Sequence, residues 1–232
     1  MSERILIYLM LLPQIIFAQN NEVWADLNVY KSISDKVTVF GDAGSRAKVD
    51  GQAAASFYIR PSASYQLSKN IMISGGAAWF YAHPKEEGSA NEARGWQGIR
   101  VEQRVLNRVM LNNFTRLEER NFFKEGATEF LLRFRTLFGA SVLINQSTLQ
   151  EGTWYIPLAF EIFEDINDHQ KMFFNRRRFY SGVGYAINSQ TRAELFYIAN
   201  ESRPDQEVDF ETVNVIRLRI HVTFPERAAL TN

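Results

Sequence analysis

The sequence predicts an all-β chain folded as a single antiparallel transmembrane β-barrel of 10 or 12 strands, an even number being the rule for bacterial barrels. Three observations lead there. Arg94, Trp96, Gly98, Arg100, Glu102 and Arg104 alternate with Ala93, Gly95, Ile99 and Val101, which gives one strand a charged face and an apolar face. The chain opens with Arg4, an apolar run from Ile5 to Phe17 interrupted by Pro13, and then Ala18, the pattern of a signal peptide over residues 1–18. Beyond it there is no apolar run of about 18 residues, which argues against a spanning helix but not against strands of about 9 to 11 residues.

Alternation and turn residues place strands over 23–31, 36–46, 53–66, 71–82, 93–104, 108–121, 127–142, 153–164, 174–186, 190–200 and 209–224, within a barrel domain covering 19–232. Short polar turns such as Ser68-Lys69-Asn70 and Asn188-Ser189-Gln190 alternate with longer, more charged connections such as His83 through Asn91 and Asp165 through Lys171. Barrels of this class keep short turns on the periplasmic side and long loops outside. The last strand, ending at Phe224, then finishes on the periplasmic side, but eleven strands would start the first one outside. The even-number rule resolves the conflict only if 23–31 lies outside the wall or one strand has gone unrecognised.

Face assignments continue along the chain. Phe130, Leu132, Phe134 and Phe138 share one parity and Glu129, Arg133 and Arg135 the other, while Ile216, Leu218, Ile220 and Val222 oppose Arg217, Arg219, His221 and Thr223. Turned apolar-out, this is a membrane wall with a polar interior. Turned apolar-in, the same alternation is a soluble periplasmic barrel or sandwich. Eighteen Phe, nine Tyr and four Trp suit either the interfacial girdles of the first or the core of the second. Trp24, Trp79, Trp96 and Trp154 are candidate interface anchors, although Trp96 shares parity with Arg94, which places it inside near a rim or marks a local break in register.

Charge and chemistry exclude several classes. Twenty-six bases balance twenty-six acids, so no nucleic-acid partner is indicated, and no cysteine is present for disulfide or thiol chemistry. His83, His169 and His221 lack a neighbouring nucleophile at a diagnostic spacing, and no metal-ligand cluster or glycine-rich phosphate loop occurs. No catalytic residue, cofactor or metal is assigned on this basis. A membrane-embedded hydrolase remains the enzymatic alternative.

The charged positions form the candidate site. Arg94, Arg100, Glu102 and Arg104 are followed by Arg116, Glu118 and Arg120, then by Glu129, Arg133 and Arg135, then by Arg176 and Arg178, and finally by Arg217 and Arg219. If neighbouring strands align them, guanidinium forks pair with carboxylates across the interior. Such a lumen network is either a brace that plugs the barrel or, because bases outnumber acids, the lining of a narrow anion-biased pore for a small anionic solute. Lys85-Glu86-Glu87 and Asp205-Gln206-Glu207 read as solvated charge on loops.

The runs Glu92-Ala93-Arg94-Gly95-Trp96-Gln97, Arg116-Leu117-Glu118-Glu119-Arg120, Arg133-Phe134-Arg135 and Phe174 through Tyr185 resemble the uncharacterised bacterial family called domain of unknown function 2490. The resemblance spans almost the whole chain after the leader. It implies an outer-membrane β-barrel of unassigned activity and transfers no catalytic residue. The expected function is a small barrel of the bacterial cell outer membrane with a structural or accessory role, in contact with outer-membrane lipid and suited to docking on an envelope protein complex.

Overall fold

The computed structural model describes residues 21–49, 55–83, 90–124, 126–167, 175–203 and 208–224. The leader assigned to 1–18, His169, and the loop charges at 85–87 and 205–207 lie outside the described residues. Among the described residues eleven strands follow one another: β1 (Asn21–Ser32), β2 (Val37–Lys48), β3 (Ala55–Gln66), β4 (Ile71–His83), β5 (Ala90–Leu106), β6 (Val109–Lys124), β7 (Ala127–Leu143), β8 (Trp154–Asp165), β9 (Arg176–Ala186), β10 (Thr191–Ser202) and β11 (Glu211–Phe224). Each falls within a few residues of its expected span.

Consecutive strands pair antiparallel, and β1 closes on β11 to make a complete barrel. The strand count corrects the expectation of 10 or 12 antiparallel strands, and β1 is part of the wall. Hairpins reverse the chain at every step, so the first and eleventh strands run the same way. Their seam is therefore parallel. Its register joins like to like. Val23 meets Ile216 and Leu27 meets Ile220 on the outer face, while Trp24 meets Arg217 and Asp26 meets Arg219 on the inner face. A one-residue slip would reverse both faces, so the side-chain pattern fixes this register. The barrel is mixed rather than wholly antiparallel, and its two described ends emerge at opposite rims.

The outer face is apolar. Val23, Leu27, Val39, Ile59, Ile73, Ile99, Leu111, Phe138, Leu158, Val183, Leu195 and Leu218 are all exposed. Trp79 and Trp154 are exposed there as well, whereas Trp24 and Trp96 are buried inside, so Trp24 is not an outward anchor. Among the outward polar side chains, Asn113 donates to Thr136 Oγ1 at 3.0 Å and Thr115 donates to Asn113 Oδ1 at 3.1 Å, satisfying one another across β6 and β7. Among the described residues no helix is long and apolar enough to cross a membrane, which says nothing about a barrel.

Inside, large side chains fit because glycines sit beneath them. A Cβ on Gly98 would lie 2.6 Å from Arg116 Cγ, and one on Gly44 would lie 2.8 Å from the Tyr58 ring. Glycine in a strand interior marks this kind of close approach. The apolar part of the interior is a cluster of Trp24, Tyr180, Phe196, Ile198 and Val215, which packs the lumen beside the β1–β11 seam.

Candidate functional site

Alternation turns the charged residues inward, and strand register decides which of them meet. On β5 to β8, Trp96 stands opposite Glu118, and Glu118 opposite Arg133. Glu118, with 1% of its side chain accessible, accepts from Arg94 at 3.0 Å and from Arg135 at 3.0 Å, with Arg116 at 3.7 Å. Arg135 also donates through Nε to Glu161 Oε1 at 2.8 Å, and the Tyr180 hydroxyl donates to the other Glu161 oxygen at 2.7 Å. Two buried carboxylates thus share one guanidinium between β6 and β8. Both carboxylates are therefore paired and hydrogen-bonded, as buried charges require, whereas Arg116 keeps a buried Nε without a partner.

The network extends toward the rim of the longer loops. Arg120 donates to Glu92 at 2.5 and 3.0 Å, and Arg94 reaches the same carboxylate at 2.8 Å. Arg133 grips Asp165 with a two-point fork at 2.6 and 3.2 Å, and Asn175 donates to Asp165 Oδ2 at 2.6 Å. Bidentate geometry of this kind is the strong form of the guanidinium–carboxylate bond.

A second cluster flanks the seam. Asp26 accepts from Arg217 at 2.9 to 3.0 Å, from Arg219 at 3.3 Å and from the Tyr58 hydroxyl at 3.1 Å. Glu194 joins the Tyr155 hydroxyl at 2.8 Å, His221 Nε2 at 2.9 Å and Arg219 at 3.5 Å. Asp42 and Arg60 form their own two-point pair on β2 and β3, at 2.7 and 2.8 Å.

Other candidates stand apart from these clusters. Arg100 and Glu102 make an exposed pair at 3.4 Å, and Arg104 bonds the carbonyls of Asn107 and Ser147 at the short-turn rim. Glu129 is exposed where β7 begins and joins no ion pair among the described residues. Arg176 has a buried Nε with no hydrogen-bond partner, and Arg178 is held by Asn200 at 2.8 Å with Glu161 3.7 Å away. The acids that complete the clusters, Asp26, Asp42, Glu92, Glu161, Asp165 and Glu194, were not among the sequence candidates. Their inward parity beside residues such as Trp24 and Phe163 was the available signal.

Guanidinium groups also lie over rings: Arg94 is 4.3 Å from the Phe80 centroid and Arg135 is 4.6 Å from that of Phe163. Between the clusters is a chamber of about 460 Å³, bordered by Trp24, Arg46, Tyr58, Arg116, Arg178 and Arg217 among others. Among the described residues no group of His, Cys, Asp and Glu is placed to hold a metal ion. His221 Nδ1 has no hydrogen-bond partner, and its Nε2 is engaged by Glu194 rather than by a hydroxyl nucleophile.

The search of curated proteins finds no match to this chain. A family profile described as "Protein of unknown function (DUF2490)" matches residues 21–211, from the first strand to the start of the last. The match covers most of the chain and nearly all of the barrel wall, and the chain belongs to that family.

Proposed function

We propose that this protein is a bacterial outer-membrane β-barrel in which the inward Arg/Glu network is a brace, and that it serves a structural or accessory role in the envelope. The observation that carries the reading is the sidedness of the wall: exposed large apolar side chains on the outward parity and buried ion pairs on the inward parity. A soluble barrel reverses this arrangement, because water rewards apolar burial. The outward aromatic residues support it further. Trp154 and Tyr185 pair near the short-turn rim, and Trp79 and Phe123 stack near the other, as two interfacial girdles require. The leader-like start at Arg4 to Ala18 agrees with export.

Fractionation of a Gram-negative host expressing the full chain tests the location. Recovery in the outer-membrane fraction, with a heat-modifiable band on gels, is expected; recovery in the soluble periplasm overturns it. Quenching by brominated lipid adds a residue-level reading, with Trp79 and Trp154 quenched and Trp24 and Trp96 protected.

A second reading is a narrow anion-biased pore. It is favoured by the gathering of three guanidinium groups, of Arg46, Arg178 and Arg217, around Trp24. Reconstituted barrel should then carry an anion-selective current, and conductance equal to an empty bilayer removes this reading.

A further inference from the structure

We infer that the chamber holds a binding site for a phosphate or carboxylate group, gripped by Arg46, Arg178 and Arg217 around the Trp24 indole. The register builds it. Trp24 on β1 stands opposite Arg46 on β2 and opposite Arg217 on β11, so both neighbouring strands deliver a guanidinium at its level. Arg178 arrives from β9. The three guanidinium carbons lie 4.3, 5.2 and 5.7 Å from the ring centroid, for Arg46, Arg178 and Arg217 in that order.

The carboxylates near this group are committed elsewhere: Glu22 accepts from Trp24 Nε1 at 2.7 Å, and Asp26 and Glu161 are shared with other donors. Arg46 has no carboxylate partner among the described residues, and the other two guanidinium groups around Trp24, those of Arg178 and Arg217, are also cationic. Arg217 draws on Asp26, which Arg219 and Tyr58 also use. Arg178 has Glu161 only at 3.7 Å, and that carboxylate is already engaged by Arg135 and Tyr180. Stacking on Trp24 offsets part of the repulsion. It supplies no acceptor for the N–H groups, and an oxyanion supplies several.

Arg46 is only partly buried, and all three guanidinium groups border the chamber. At about 460 Å³ the chamber admits more than a bare oxyanion, so an anionic group on a small organic body also fits. The site depends on the barrel's interior and not on which membrane surrounds the wall. It also needs no passage from one rim to the other.

Calorimetric titration of the refolded full chain in detergent, at ionic strength matched with sodium chloride, tests the site with inorganic phosphate and with succinate as probes. Saturable binding at one site per chain is expected for at least one probe, and glycerol serves as the uncharged comparison. Arg46→Gln should weaken that binding by about tenfold or more, since a charge-assisted contact is lost. Lys69→Gln, which removes one positive charge from an exposed turn, should leave it within about twofold of the parent. Absence of saturable binding to both probes in the parent protein overturns the site without reference to any variant. So does equal weakening by Arg46→Gln and Lys69→Gln, which would mark a diffuse charge effect.

Discussion

The ion-pair cluster of β5 to β8 and the arginine group around Trp24 are made of the same residue types and lie in the same barrel, yet their charge balance differs. Glu118 and Glu161 are each shared by several donors, and Arg135 ties them together. Around Trp24 the Glu22 carboxylate is taken by the indole N–H, Arg178 and Arg217 share Glu161 and Asp26 with other donors, and Arg46 has no carboxylate partner among the described residues. The first arrangement has its carboxylates saturated with donors and resists their loss, although Arg116 keeps a buried Nε without a partner. The second leaves donors over, and surplus donors are what a ligand can use. Removing charge from the two regions should therefore have opposite effects on stability.

The largest effect is expected from Glu118→Gln. It leaves Arg94, Arg135 and Arg116 without their common carboxylate, and loss of one partner from a buried pair costs about 3–5 kcal/mol. Urea titration of the refolded barrel in detergent, read from the heat-modifiable band, measures it against Lys69→Gln. Equal stability of the two variants would remove the brace from the account.

Gly98→Ala should come next, at about 1–3 kcal/mol, because its methyl would meet Arg116 Cγ and the Thr115 carbonyl, each at 2.6 Å. The same titration reads it. An unchanged midpoint would show that Arg116 can shift without disturbing Glu118.

Arg46→Gln should have the opposite sign in the absence of ligand, raising stability by roughly 1 kcal/mol through relief of an unpaired cation. Loss of packing on Trp24 limits the gain. Clear destabilisation would mean that stacking on Trp24 outweighs the repulsion, and the contrast between the two regions would narrow.

The smallest change is expected at Arg100→Gln, within about 0.5 kcal/mol, since its pair with Glu102 is long at 3.4 Å and open to water. A loss as large as that of Glu118→Gln would show that the network continues to the short-turn rim.

The strands were legible in the sequence because alternation marks each one separately. Trp24, Asp26 and Asn28 opposing Val23, Ala25 and Leu27 is enough to place β1 without reference to its neighbours. The manner of closure was not legible. No hairpin marks the β1–β11 seam, and the even-number rule assumes an antiparallel join. The arginines stood out because they cluster along single strands, as Arg116 and Arg120 do. Their acids did not, because Asp26 takes its arginines from the far end of the chain, and Glu194 is matched with Arg219 only through the β10–β11 register. Pairing across 191 positions, as between Arg217 and Asp26, is a property of register and not of local spacing.

That separation also bears on the order of folding. Every other strand pair can form as a hairpin soon after its two strands meet, at low cost in chain entropy. The β1–β11 seam instead waits for almost the whole chain to be arranged. Such non-local pairing is the slow part of β-rich folding. Until it forms, β1 offers an unpaired edge, and Asp26 lacks both Arg217 and Arg219. Zipping of the seam and neutralisation of Asp26 are therefore one event, so a buried carboxylate acts as the latch for the last hydrogen-bonded ladder of the barrel.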